Sequence, residues 1–154
     1  MKTYSHKKHK LLLYSSGVLQ LLIGLSAVAG GFRLVMNPGG TLDIPIEWLN
    51  ESPFTSYFIP GLLLTIVIGF GNILASLISF LHKSYSWYTT TALGLALIGF
   101  MSIEIWFVGL RNFLQPLYLI FGFIGLIIGI ALKNSISSLP SNLKIDELQE
   151  YSHR

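Results

Sequence analysis

Glu104 is the charged side chain that lies furthest inside an apolar stretch of this sequence, residues 91–109. A carboxyl group in such a stretch usually faces other helices or a water-filled cavity, where it can hold a proton, an ion or a ligand. If the stretch is a helix, Arg111 lies on nearly the same face. Together with Arg33 and Gln115, expected at the same end of the molecule, these residues form the predicted polar or ligand site. The structural alternative is an ion pair, or a protonated carboxyl bonded to a neighbouring helix, and it is the more common case.

The composition of the chain favours a membrane protein over a soluble one. Its 154 residues are 52% hydrophobic and 11% charged, whereas soluble domains carry about 25% charged residues. The sequence has no cysteine, which excludes disulfides, thiolate metal sites and thiol redox chemistry. It shows no Ser-His-Asp set, carboxylate pair or metal-ligand cluster, so we predict no enzyme, cofactor or metal. His6 and His9 lie in a lysine-rich flank. Attraction of this flank to anionic lipid head groups explains its composition better than a metal site does.

Four apolar runs, each near the roughly 20 residues that cross a bilayer, predict an all-α membrane protein. The predicted fold is an antiparallel four-helix transmembrane bundle with one external loop between spans 1 and 2. The spans cover residues 11–34, 55–81, 88–110 and 113–132, between a basic flank 1–10 and a polar tail 133–154. Ser52 and Pro53 predict the cap and first residue of the second helix. In the tail, Ser141 could cap a short amphipathic helix, with disorder as the alternative.

The first apolar run permits a second interpretation. Its basic flank, its apolar residues and the small residues Ala27 and Ala29 together imitate a secretory signal peptide. The run is longer than the apolar core of a typical signal peptide and continues past the would-be cleavage position. We therefore favour a retained transmembrane span.

The distribution of lysine and arginine predicts the orientation in the plasma membrane. Cytoplasmic segments carry the excess of basic residues, so both termini are expected in the cytoplasm. The loop between spans 1 and 2, which contains Asp43, Glu47 and Glu51, is then external and acidic. Only Arg33 and Arg111 are basic on that side. The basic residues of the cytoplasmic side are Lys2, Lys7, Lys8, Lys10, Lys83, Lys133, Lys144 and Arg154.

Small and polar residues along the spans predict how the helices pack. One face of span 1 is typical of a seam where helix backbones approach closely. Its residues are Gly17, Gln20, Gly24, Ala27 and Gly31. Gly125 and Gly129 form a GxxxG motif in span 4. Counted from the cytoplasmic ends of spans 1 and 2, Gln20 and Asn72 lie at about the same depth. The sequence therefore predicts an interhelical hydrogen bond between Gln20 and Asn72.

Several short motifs follow one another in an order that resembles small four-span bacterial membrane proteins of unassigned function. They are a glycine-rich first span and the segments 42–49, 52–54, 58–61, 103–104 and 114–116. The general layout is also similar to DoxX-like membrane proteins. The resemblance covers about residues 11–132. It implies a four-span fold but no activity, and it supplies no catalytic or binding residues.

Two functions are compatible with these patterns. The first is a non-enzymatic accessory, interaction or lipid-binding protein, whose partners are the lipid bilayer, another membrane protein or a second copy of the chain. The alternative is a small proton-coupled transporter that uses Glu104 as its titratable group. The sequence shows no second buried acid and no broken helices, which favours the first function. We expect no nucleic-acid partner.

Overall fold

The computed structural model describes residues 2–137, with side chains from residue 7 onward. The described chain is helical apart from its connections, and the predicted all-helical class is confirmed. The long helices are α1 (Lys2–Met36), α2 (Phe58–Phe80), α3 (Ser86–Val108) and α4 (Leu114–Ser137). Because α1 begins at Lys2, the described part of the basic flank is helical and continuous with the first apolar run. The predicted cap at Ser141 lies outside the described residues.

Each long helix is long and apolar enough to cross a bilayer. Large apolar side chains cover the outward faces of the four helices, as shown by Trp106, which is 84% exposed. A smaller apolar core joins the helices along their inward faces. It consists of Ile23, Ala27, Ile68, Leu97 and Met101. This distribution, with apolar residues both inside and outside, is what a lipid environment requires and water does not favour.

Glycines bring α1 and α2 together along most of their length. Gly17 lies against the ring of Phe80. Farther along, a Cβ atom at Gly24 would lie 2.9 Å from the backbone oxygen of Gly69. Near the end of α1, Gly31 faces Gly61 equally closely. The packing seam predicted for span 1 is therefore confirmed, because only glycine leaves room for the facing backbone.

The second close helix pair is α3 with α4. A Cβ atom at Gly94 would lie 2.9 Å from the backbone nitrogen of Leu126 and 3.0 Å from the backbone oxygen of Gly122. Gly129 faces the backbone of Thr91 in the same way. The GxxxG segment of α4 is thus a packing surface, as predicted. Helix α1 also packs against α4, and this contact joins the two pairs.

A π-helical segment, Leu64–Phe70, interrupts α2 between α-helical turns Phe58–Leu63 and Gly71–Phe80. At the end of this segment the Ile68 oxygen accepts the backbone N–H of Gly71 and, at 2.8 Å, the Nδ2 of Asn72. Side-chain chemistry therefore stabilises the irregular turn within the same helix.

The loop between α1 and α2 is folded onto the ends of the helices. It contains a short antiparallel hairpin, β1 (Gly40–Thr41) with β2 (Ile44–Pro45), and a 3-10 turn, Ile46–Leu49. The predicted cap at Ser52 was wrong, because α2 begins only at Phe58. Ser52 Oγ instead accepts the backbone N–H of Phe54 at 3.2 Å, which forms a turn within the loop.

Candidate functional site

A cavity of about 410 Å³ lies beneath this loop, where α1 and α3 end and α2 and α4 begin. We call it the loop-side cavity. All four helices and the loop contribute to its wall, which is largely apolar. Its charged or amide-bearing lining residues are Arg33, Asp43, Glu104, Asn112 and Gln115. The volume falls within the roughly 300–1,000 Å³ of small-molecule sites, so the cavity can hold a small amphiphile.

Gln115 forms a hydrogen bond with one of the two carboxylate oxygens of Glu104. Its Oε1 accepts the backbone N–H groups of Arg111 at 2.9 Å and Asn112 at 3.2 Å, in the turn between α3 and α4. The amide group must therefore direct its Nε2 the other way, and it donates to Glu104 Oε1 at 3.1 Å. Within residues 7–137, no donor is bonded to Glu104 Oε2. The carboxylate thus has one satisfied oxygen and one oxygen left for another donor.

Arg33 lines the cavity but is paired with the loop. Its Nη2 donates to both carboxylate oxygens of Asp43, at 2.7 and 2.8 Å. This hydrogen bonding lowers the pKa of Asp43 below its ordinary value. Both side chains are at least half exposed. The arginine therefore closes an ion pair at the rim of the cavity and does not bond to Glu104.

Arg111 does not join the other predicted site residues in the cavity wall. The prediction extended the face of Glu104 by helical spacing, but α3 ends at Val108. Gly109 then takes a positive φ of 78° and turns the chain away. The Arg111 side chain is exposed, and its Nε donates to the Val108 oxygen at 3.2 Å. Only its backbone serves the site, through Gln115.

Tyr57 attaches the loop to the cavity and was not identified from the sequence. Its hydroxyl donates to the Pro45 oxygen at 2.9 Å, and its N–H donates to the Pro38 oxygen at 2.9 Å. The side chain is 5% exposed. Burial, followed by the nearby charges of Glu104 and Glu47, raises the pKa of Tyr57 above its ordinary value. The signal that could have indicated this role was an aromatic residue near the start of the predicted second span, where interfacial aromatics are common.

Aromatic side chains form much of the cavity wall, and they too were missed. They come from the loop, the second half of α3 and the first turns of α4. These residues are Trp48, Phe54, Tyr57, Phe100, Phe107 and Tyr118. In the sequence they are scattered among other apolar residues, so their convergence follows only from the helix ends and the loop being folded together.

A second polar cluster lies near the opposite end of the bundle, and we call Ser16, Gln20, Ser79 and Thr90 the hydroxyl network. Ser16 Oγ lies 2.8 Å from Thr90 Oγ1. Gln20 Nε2 donates to Thr90 Oγ1 at 3.2 Å, and Gln20 Oε1 accepts from Ser79 Oγ at 3.2 Å. Every one of these side chains is buried. Ser76 Oγ is buried nearby without a hydrogen-bond partner in the described chain.

The predicted hydrogen bond between Gln20 and Asn72 does not form. The prediction counted residues from the ends of the two apolar runs, but α1 extends beyond the end of α2, so that Phe80 lies beside Gly17. Gln20 therefore meets the last turns of α2, and Asn72 lies nearer the middle of the bundle. Asn72 donates to its own helix at Ile68 instead. Gln20 does join helices as expected, but with other partners.

His9 belongs to the bundle rather than to a flexible flank. Its side chain is 7% exposed, and its Nδ1 lies 3.2 Å from Ser135 Oγ on α4. The contact joins the extended start of α1 to the end of α4. No spacing in the sequence predicts this pair, because the two residues lie at opposite ends of the described chain.

No protein-family model, curated protein or solved structure matches this chain. The similarity to DoxX-like proteins therefore stays a prediction.

Proposed function

We propose that this chain is a multi-pass membrane protein, an antiparallel four-helix bundle that binds a small amphiphile in the loop-side cavity. The four apolar helices support insertion into a bilayer. Opposed helix directions are supported by α1 and α2, because Gly17 faces Phe80 whereas Gly31 faces Gly61. The bias of lysine and arginine supports termini in the cytoplasm of a plasma-membrane protein, with the loop and cavity on the external side.

The observation that carries the proposal is the cavity itself. In lipid, helices that pack through small residues usually leave no space between them, and the α1–α2 and α3–α4 pairs follow that rule over most of their length. Beneath the loop they enclose about 410 Å³, with apolar walls and a carboxylate. Apolar walls suit a hydrocarbon tail, and polar groups near the mouth suit a head group. This supports a lipid-binding or accessory role without catalysis.

Native mass spectrometry of the purified protein tests the proposal. The wild-type chain should retain one amphiphile when it is released from phospholipid nanodiscs. Gly30→Phe should remove that retention, because Gly30 lines the cavity and has open space beside it. Gly99→Phe is the matched control, because Gly99 is open to the outside and does not line the cavity. Equal retention by all three proteins, or by none, would contradict amphiphile binding in this cavity.

A proton-coupled transporter is the second candidate function. One feature favours it, namely the Glu104 oxygen that lacks a donor within residues 7–137 and belongs to a cavity-lining side chain. In liposomes, such a carrier would move protons with its substrate, and Glu104→Gln would abolish that flux. If the variant kept the proton flux and its pH dependence, Glu104 would not be the coupling group.

A further inference from the structure

We propose that the loop-side cavity recognises a primary ammonium group, bound at Glu104 Oε2, on an amphiphile whose apolar part lies along the aromatic wall. This inference rests on the proposed amphiphile binding and adds the chemistry of the head group. It follows from three independent features: the hydrogen bonding of Glu104, the balance of charge around the cavity and the aromatic residues that line it.

The hydrogen bonding of Glu104 leaves one carboxylate oxygen that can accept a donor. Gln115 cannot turn its amide to serve both carboxylate oxygens, because two backbone N–H groups hold its Oε1. Its Nε2 reaches only Glu104 Oε1. Glu104 is partly buried, and its Oε2 has no donor within residues 7–137. A ligand with an N–H or O–H group in the cavity could donate a hydrogen bond to Glu104 Oε2, whereas a second anion could not.

The charge balance selects a cation over a neutral hydroxyl. The charged residues that line the cavity are Arg33, Asp43 and Glu104. Arg33 is neutralised by Asp43 through both of its carboxylate oxygens. Glu104 is then left without a paired cation among the described lining residues. A charge that is partly removed from water is stabilised by an opposite charge, so a cationic ligand stabilises this site where an alcohol would leave the charge uncompensated.

The aromatic residues of the cavity lining also favour a cationic ligand. Trp48, Phe107 and Tyr118 are among six aromatic residues of the lining, and aromatic faces attract cations. A quaternary ammonium would use these faces but has no N–H to donate to Glu104. A primary ammonium can interact with aromatic faces, balance the charge of Glu104 and donate a hydrogen bond to its Oε2. Its source is either a lipid head group that carries a primary amine or a free alkylamine.

The test uses Trp48 as a fluorescent reporter inside the cavity. Replacing Trp87 and Trp106 by phenylalanine leaves Trp48 as the remaining tryptophan of the chain. The protein is placed in phosphatidylcholine nanodiscs and titrated with octylammonium, octanol and octyltrimethylammonium, with empty nanodiscs as the partition control. Octylammonium should bind about tenfold more tightly than the other two probes, as expected for one charge-assisted hydrogen bond. Glu104→Gln should reduce its affinity to that of octanol, and Gly30→Phe should weaken all three.

The outcomes separate this inference from the proposed function. If octanol binds as tightly as octylammonium in the wild-type chain, the ammonium site is refuted while amphiphile binding stands. If no probe changes the Trp48 signal, both fail. The comparison of probes in the unmutated cavity decides the matter even if Glu104→Gln does not fold. Adding phosphatidylethanolamine to the nanodiscs identifies the source: competition with octylammonium indicates the lipid head group, and no competition indicates a free amine.

Discussion

The hydroxyl network and the loop-side cavity both place polar side chains between the helices, yet only one leaves a group available. In the hydroxyl network, Gln20 bonds to side chains of two other helices, and Ser16 and Ser79 are fully buried. In the cavity, Glu104 has a single protein donor and lies beside open volume. Polar residues of the first region hold helices together, whereas those of the second can hold a ligand.

The difference between the two regions follows from which face of a helix packs against its neighbour. At Gly24 the backbones of α1 and α2 are so close that a Cβ atom would clash. At Gly30, on the same helix, the nearest atom to such a Cβ is 4.0 Å away. Gly31, the next residue, again lies close to α2 at Gly61, so the cavity lies to one side of the α1–α2 seam. Polar residues thus differ in role according to whether they lie in a closed helix contact or beside the open cavity.

The largest expected effect comes from replacing these two glycines in the same way. Gly24→Leu should lower the free energy of unfolding by about 3 kcal/mol, because the side chain has no room beside α2. Gly30→Leu should change it by less than about 1 kcal/mol while weakening amphiphile binding. Unfolding in mixed micelles measures the first quantity and Trp48 titration the second. Equal destabilisation by both variants would mean that the cavity is closed.

Gln20→Leu should have the next largest effect. The change removes the acceptor of Ser79 and the donor to Thr90 in a buried place. We expect a loss of about 1–2 kcal/mol in the free energy of unfolding, since interhelical bonds in membranes are modest. Amphiphile binding should stay unchanged. Asn72→Leu tests whether Gln20 and Asn72 interact. The losses of unfolding free energy from Gln20→Leu and Asn72→Leu should add in the double variant. A strong coupling between the two substitutions would support the hydrogen bond that the sequence predicted.

Tyr57→Phe should loosen the loop with a smaller effect on the bundle. The variant keeps the ring but loses the hydrogen bond to the Pro45 oxygen, which is worth about 1 kcal/mol. Amide hydrogen exchange should become faster in residues 40–49 and stay the same in the helices. Unchanged exchange in this segment would show that Tyr57 does not hold the loop.

The ion pair of Arg33 and Asp43 should give the smallest effect, visible only in acid. The pKa of Asp43 is lowered from 3.8 in the folded chain. The ion pair therefore contributes to the stability of the folded loop above pH 3.8. This contribution is lost as the pH falls through the lowered pKa of Asp43. Loop exchange in the wild type should accelerate in that acidic range. Asp43→Asn should exchange at the faster rate already at pH 7, and a wild-type loop insensitive to acid would contradict the pairing.

The sequence was sufficient for the features that depend on spacing within one helix. Apolar run lengths located the four helices, and the glycine spacing located the seams at Gly24 and Gly125. It failed where two segments had to be aligned with each other. The partner of Gln20 depended on how far α1 extends beyond α2, and the position of Arg111 depended on the turn at Gly109. The aromatic cavity wall assembles residues from separate segments, and helical periodicity does not predict such convergence.

Cysteine accessibility tests the central comparison most directly, because the chain has no native cysteine. Ser26→Cys places a thiol in the cavity wall, and Ser79→Cys places one in the hydroxyl network, with nearly isosteric changes. The protein in nanodiscs is treated with a charged, water-soluble thiol reagent. The Ser26→Cys variant should react and be protected by octylammonium, whereas Ser79→Cys should react only after unfolding. Equal reaction of the two thiols, or reaction at Ser79→Cys alone, would contradict the distinction between an open cavity and a closed network.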